Sequence, residues 1–123
     1  MLRCTIVGLA VVAIFSSLAK AETKQVSPGA EIQIGVHGSL QKDCTPNPVP
    51  DIRILRPSSH GVVRIASATL RTNRFPSCPN ASVPVMVVFY KANADAIGWE
   101  SVTLEVVPKS GEASRHTYDI QIE

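Results

Sequence analysis

Residues 83–91 read VPVMVVFYK and carry the strongest strand signal in the chain. Successive side chains of a strand point to opposite faces, and β-branched and aromatic residues favour such pleated surfaces. One face would present Val83, Val85, Val87 and Phe89, and the other Met86, Val88 and Tyr90. Because both faces are apolar, the segment predicts a central strand that is covered on both sides.

Other strand patterns lie on both sides of this segment. They cover residues 31–36, 51–56, 61–65, 68–72, 98–107 and 115–122. Turn signals rich in proline, glycine and serine lie at residues 28–29, 45–50, 57–61, 75–79 and 109–112. About seven short strands, with turn signals every 8–12 residues or so, predict an all-β fold in which two sheets form a sandwich.

Alternation also predicts which side chains face the interior. Ile32, Ile34 and Val36 would share one face of the first predicted strand. The expected core consists of Val85, Val87, Phe89, Leu104, Val106, Ile120 and Ile122. A domain of this size can bury a modest core between its two sheets.

The first 21 residues have the pattern of a cleaved secretory signal. Arg3 precedes an apolar core at residues 6–15, and Ala19-Lys20-Ala21 forms an A-x-A cleavage pattern. The apolar stretch is too short for a comfortable transmembrane helix, and no later run is longer. We therefore expect a signal peptide at 1–21, a β-sandwich domain at 22–123, no membrane insertion after cleavage, and a periplasmic or secreted protein.

Cleavage after Ala21 would remove one of the three cysteines from the mature protein. Cys4 would leave with the signal, whereas Cys44 and Cys78 would remain as an even pair in an oxidising compartment. Both lie on or beside predicted connections, so the sequence predicts a disulfide that joins two loops. In the chain-entropy model, closing a loop of about 35 residues contributes roughly 3–4 kcal/mol.

Charge is balanced overall but unevenly distributed. Residues 22–123 hold ten basic and ten acidic residues, yet no acid occurs between Ile52 and Ala94. Arg53, Arg64, Arg71 and Arg74 are therefore candidate contacts for an anionic ligand. The alternative is that they lie on solvated strand faces, where folding brings acidic neighbours beside them.

Two segments resemble bacterial cadherin-like and immunoglobulin-like modules. Residues 56–65, RPSSHGVVRI, contain a P-x-x-H-G-x-V core, and residues 88–106, VFYKANADAIGWESVTLEV, place Gly98 and Glu100 at the glycine and acidic positions of those modules. Gly111 and the later Tyr118-Asp119-Ile120 resemble their closing hairpin. The resemblance implies an immunoglobulin-like or cadherin-like sandwich with an adhesive or spacer role. Such modules often bind calcium at tandem junctions, but this single module lacks the Asp and Asn runs, so no calcium site is carried over.

The sequence offers little catalytic or cofactor chemistry. His37, His60 and His116 lack the close spacing of common metal sites, and no G-x-S-x-G elbow, phosphate loop or dinucleotide fingerprint occurs. Asp95 and Glu100 flank a loop, where we expect them to bond turn amides. We therefore expect no enzyme activity, no metal, no cofactor and no nucleic-acid partner.

Trp99 is the strongest single candidate for a binding contact. It follows Gly98 after a loop, where an exposed indole can anchor a protein or a glycan. The alternative is that it covers one open end of the sandwich.

Our leading hypothesis is a non-catalytic exported module that contacts a protein or glycan. The alternative is a periplasmic ligand-binding protein that takes an anion or metal through its arginine-rich segment. Unpaired sheet edges also make a weak homodimer an alternative to the monomer.

Overall fold

The computed structural model describes residues 22–123; the predicted signal segment and Cys4 lie outside the described residues. Seven strands make up the regular structure. They are β1 (Glu22–Val26), β2 (Glu31–His37), β3 (Asp51–Ile54), β4 (Gly61–Thr72), β5 (Ala81–Ala92), β6 (Gly98–Val107) and β7 (Ser114–Ile122). The prediction of an all-β fold with about seven strands is confirmed. Residues 22–123 contain no helix that is long and apolar enough to cross a membrane.

The strands form two sheets in a sandwich-like arrangement. The four-stranded sheet has the order β1-β7-β6-β3, and the three-stranded sheet has the order β2-β5-β4. Neighbouring strands are antiparallel, except that β1 runs parallel to β7. β5 lies at the centre of its sheet, as the sequence predicts for residues 83–91.

The main core lies between the two sheets. Its buried members are Val26, Ile34, Val88, Tyr90, Ala92, Ala96, Val102, Leu104, Val106, Tyr118, Ile120 and Ile122. Removing a large aliphatic side chain from water contributes about 1.5–3 kcal/mol, so this cluster is the principal source of stability. The inward assignment of Leu104, Val106, Ile120 and Ile122 is confirmed.

The sequence and the structure both give seven strands, but the two sets are not the same. The two strands predicted at 61–65 and 68–72 are one strand, β4, which pairs with β5 without a break from Gly61 to Thr72. β1 was not predicted, because its sequence ETKQV offers one apolar residue, Val26. The Pro28-Gly29 turn therefore lies between β1 and β2 rather than before the first strand.

A β-bulge in β2 changes the predicted faces of that strand. Gln33 is opposite Phe89 and Gly35 is opposite Val88, so Ile34 is the extra residue. A Cβ atom at Gly35 would lie 2.6 Å from the Tyr118 hydroxyl oxygen, which explains the glycine. Beyond the bulge, Val36 lies opposite Val87 and leaves the face that it was expected to share with Ile32 and Ile34.

A second apolar cluster covers the other face of β5. Val83, Val85 and Val87 are its buried members, with Val36, Leu40, Leu70, Phe75, Ala81 and Phe89 packed against them. The sequence placed Val85, Val87 and Phe89 in one core with β6 and β7, which is wrong. The inter-sheet face of β5 instead carries Val88 and Tyr90.

The predicted disulfide joins the two connections that contribute to this second cluster. Cys44 lies between β2 and β3, Cys78 lies between β4 and β5, and their Cα atoms are 5.6 Å apart across the bond. The same two connections supply Leu40 and Phe75. The bridge therefore holds two loops together beside the valines of β5.

Breaking this bridge should lower thermal stability strongly. The variant Cys44→Ser/Cys78→Ser, or the reduced protein, should lose roughly 3–4 kcal/mol. For a domain of about 100 residues, that loss lowers the melting temperature by roughly 15–25 °C. Differential scanning calorimetry measures it, and reductant should leave the double variant unchanged. A wild-type melting temperature that is insensitive to reductant would contradict the stabilising role.

Candidate functional site

The outward side of the four-stranded sheet presents a polar surface with one exposed aromatic ring. Trp99 is the second residue of β6, and 59% of its surface is exposed. It therefore does not cover an open end of the sandwich. It lies opposite Gln121 of β7, which in turn lies opposite Gln25 of β1. The Gln25 side-chain NH₂ group donates a hydrogen bond to the Gln121 side-chain oxygen at 3.3 Å, so the row of the indole also carries two linked amides.

The next rows of this surface are also polar. The second row contains Ser101, Asp119 and Thr23, and the third contains Thr103 and Thr117, whose hydroxyl oxygens are 3.2 Å apart. We call these eight outward residues the polar sheet face: Thr23, Gln25, Trp99, Ser101, Thr103, Thr117, Asp119 and Gln121. It offers hydroxyl, amide and carboxylate groups on three adjacent strands. The sequence missed its Thr23 and Gln25 edge because it did not predict β1.

On the inward side of the same strand, Glu100 is a buried carboxylate. It is 7% exposed, and within residues 22–123 it is the one polar or charged residue that is buried. One carboxylate oxygen accepts hydrogen bonds from the backbone amides of Ser59 at 2.5 Å and His60 at 3.2 Å. The other oxygen accepts a hydrogen bond from the hydroxyl group of Tyr90. The expectation that Glu100 bonds turn amides is therefore met, by the turn that precedes β4.

This network connects the two sheets through the residues that carry the family resemblance. Glu100 lies on β6, Tyr90 lies on β5, and the Ser58-Ser59-His60-Gly61 turn leads into β4. Burial, followed by the Glu100 carboxylate, raises the pKa of the Tyr90 hydroxyl, which stays protonated and donates its hydrogen bond. A Cβ atom at Gly61 would collide with the Tyr90 ring and the Lys91 carbonyl oxygen, so the turn requires glycine there.

The four candidate arginines do not share one surface. Arg53 lies on the four-stranded sheet opposite Glu105, whereas Arg64 and Arg71 lie on β4 of the other sheet. Arg64 and Arg71 are seven positions apart on one strand and so point to opposite faces. Arg74 lies in the connection between β4 and β5, near His37.

Arg64 already has an anionic partner. Its guanidinium group bonds Glu31 at 2.7 Å and 3.3 Å, and it lies 4.2 Å from the centroid of the Phe89 ring. The hydrogen bonds from Arg64 lower the pKa of the Glu31 carboxyl group. Arg64 therefore matches the alternative interpretation, in which folding places an acidic neighbour beside the arginine.

Folding brings together two histidines that the sequence treated as separate. His37 at the end of β2 and His116 of β7 have ring centroids 5.0 Å apart. Burial, followed by the charge of His116, lowers the pKa of His37. The rings are 79 positions apart on different sheets, so no sequence spacing could indicate the pair. Residues 22–123 contain no cluster of three or more histidine, cysteine or acidic side chains suited to a metal ion.

Comparisons with known proteins give no family for this chain. No family model matches it, and no curated protein matches it. A search of solved structures finds the solution structure of amebosin, with 8% sequence identity and a TM-score of 0.47. That match covers 82% of this chain and 88% of the amebosin chain. The function is therefore argued from the site alone.

The Glu100 network yields a direct stability prediction. In Glu100→Gln, the side-chain oxygen can accept from the turn amides, and the NH₂ group can only donate to the Tyr90 hydroxyl oxygen. The Tyr90 bond must reverse its direction, and all the bonds of the network lose their charge assistance. We expect the free energy of unfolding to fall by about 1–3 kcal/mol, measured by urea denaturation.

Glu105→Gln is the matched control, since it changes an outward residue of the same strand. Its ion pair with Arg115 is long, at 3.9 Å, and we expect a change within about 0.5 kcal/mol. Equal effects of the two substitutions would contradict the proposed role of the buried network.

Proposed function

We propose that this protein is a non-catalytic, exported β-sandwich module that contacts glycans in the periplasm or at the cell surface. The observation that carries the proposal is Trp99, which is exposed in the same cross-strand row as the paired amides of Gln25 and Gln121. An apolar ring face suits the C–H-rich face of a sugar, and neighbouring amide and hydroxyl groups suit its hydroxyl groups.

Several features of the polar sheet face favour a glycan over a protein partner. It lies on three hydrogen-bonded strands, so its backbone is held in place before a ligand binds. Beyond the indole, its side chains are hydroxyl, amide and carboxylate groups rather than the apolar groups typical of a protein interface core. A rigid, polar surface with one aromatic anchor fits an extended oligosaccharide that lies across the strands.

The immunoglobulin-like or cadherin-like type is part of this proposal. Its support is the strand order, which separates β2, β5 and β4 from β3, β6 and β7, as immunoglobulin-like sandwiches separate their B, E, D and C, F, G strands. Further support comes from the Glu100 network, because it joins the turn motif at residues 57–61 to the acidic position of the resemblance.

Export is proposed from the signal pattern and the disulfide together. A disulfide between Cys44 and Cys78 persists in oxidising compartments and is rare in the cytosol. The signal pattern at residues 1–21 supplies the route to such a compartment.

A protein contact is the second candidate, and a different observation favours it. Ile54, Leu55 and Val62 are 40%, 42% and 62% exposed, near the edge strands β3 and β4. β4 is twelve residues long, and within residues 22–123 it pairs with β5 alone, so these residues leave its other edge open for an added strand. A weak homodimer would form if two copies paired along this same edge. The anion-binding alternative has less support, because Arg53 lies on one sheet and Arg64 and Arg71 lie on opposite faces of a strand of the other.

A glycan microarray probed with the oxidised protein tests the proposal. The array should carry neutral and acidic oligosaccharides, and the best binder should then be titrated by NMR. We expect Trp99→Ala to weaken binding by about tenfold or more, because it removes the stacking ring. We expect little change in the free energy of unfolding, because the ring is exposed.

Ile97→Ala is the matched control, since Ile97 is a neighbouring side chain that is 78% exposed but lies before β6. It should bind like the wild type. Absence of any array signal, or equal binding by Trp99→Ala and wild type, would refute the proposed glycan contact.

A further inference from the structure

His37 and His116 have a separation that suits two imidazoles bound to one metal ion. Their ring centroids are 5.0 Å apart and their planes are inclined by 57°. Two imidazoles with metal–nitrogen bonds of about 2.0–2.1 Å and a tetrahedral angle place their centroids roughly 5.2 Å apart. The observed centroid separation is close to this value.

The hydrogen bonds of both rings leave the same nitrogen free. Nε2 of His37 lies 3.4 Å from the Tyr118 hydroxyl oxygen, and Nε2 of His116 lies 3.1 Å from the Ser114 hydroxyl oxygen. Each Nε2–H group can donate to its hydroxyl oxygen, which leaves the lone pair on Nδ1. Within residues 22–123, neither Nδ1 atom has a hydrogen-bond partner. Histidine ligands of metals are commonly oriented in this way, through a hydrogen bond from the second ring nitrogen.

The charges around the pair are compatible with a cation. Glu22 of β1 and Glu112 of the β6–β7 turn line the two clefts on either side of the histidines. The lysines that line these clefts are each bound to a carboxylate: Lys24 to Glu22 at 2.8 Å, and Lys109 to Asp51 at 3.3 Å. Arg74 is the remaining cation of the clefts.

We propose that His37 and His116 form a two-histidine site for one divalent transition-metal ion of the Cu²⁺ or Zn²⁺ class. Imidazole nitrogen is a ligand for these ions, whereas Ca²⁺ and Mg²⁺ prefer oxygen. The Tyr118 hydroxyl group is close to His37, and water can occupy the positions that the protein leaves open. The site differs from the sequence-based expectation of no metal and is independent of the proposed glycan contact.

Metal titration of the oxidised protein, purified without a polyhistidine tag, tests the site. Isothermal titration with Zn²⁺ and Cu²⁺ should give saturable binding of one equivalent. His37→Gln and His116→Gln should each weaken affinity by about tenfold or more, since each removes a ligand. His60→Gln is the matched control and should bind like the wild type, because His60 contacts Glu100 through its backbone amide.

A second measurement needs no substitution and so does not depend on the variants folding. Heteronuclear NMR of the imidazole nitrogens should show Zn²⁺ shifting Nδ1 of His37 and His116 together, with His60 unchanged. The site is refuted by an absence of saturable binding up to about 1 mM metal. It is also refuted by unchanged affinity in both variants, or by shifts confined to His60.

Discussion

A single buried carboxylate joins three parts of this fold by hydrogen bonds: the turn before β4, strand β5 and strand β6. Glu100 of β6 accepts hydrogen bonds from the Ser59 and His60 amides and from the Tyr90 hydroxyl group of β5. A charge placed in an apolar interior is costly unless hydrogen bonds replace the water that it loses. All three donors are supplied, and residues 22–123 contain no buried side-chain polar atom without a partner. The turn, β5 and β6 are therefore fixed relative to one another.

The functional proposals depend on this constraint because β6 has two faces. Glu100 points inward, so its neighbours Trp99 and Ser101 point outward onto the polar sheet face. The carboxylate thereby sets the register of the strand that displays the indole. At the other end of the sandwich, the disulfide between Cys44 and Cys78 holds the loops beside the second apolar cluster. The His37–His116 pair lies between the two sheets, where β2 approaches β7.

Strong periodic patterns allowed much of the fold to be predicted from the sequence. β5, β6 and β7 each bury alternating large apolar residues, and the cysteines divide clearly once the signal pattern is recognised. β1 was missed because its parallel pairing with β7 stabilises it, rather than any apolar pattern of its own. The bulge at Ile34 moved Val36 to the other face. Gly35 was the available signal, because an isolated glycine within a strand pattern often marks a bulge. Trp99 could be singled out from the sequence, but the Gln25 partner of Gln121 depends on β1, and the histidine pair depends on tertiary structure.

Amide hydrogen exchange at Ser59 and His60 tests the central claim most directly. These amides lie in a turn near the surface, where exchange would ordinarily be fast, yet both donate to Glu100. The account predicts that both exchange slowly, with protection approaching that of core amides in β5 and β6. Exchange at the rate of unprotected loop amides would contradict it, because the carboxylate would then not hold the turn against the two sheets.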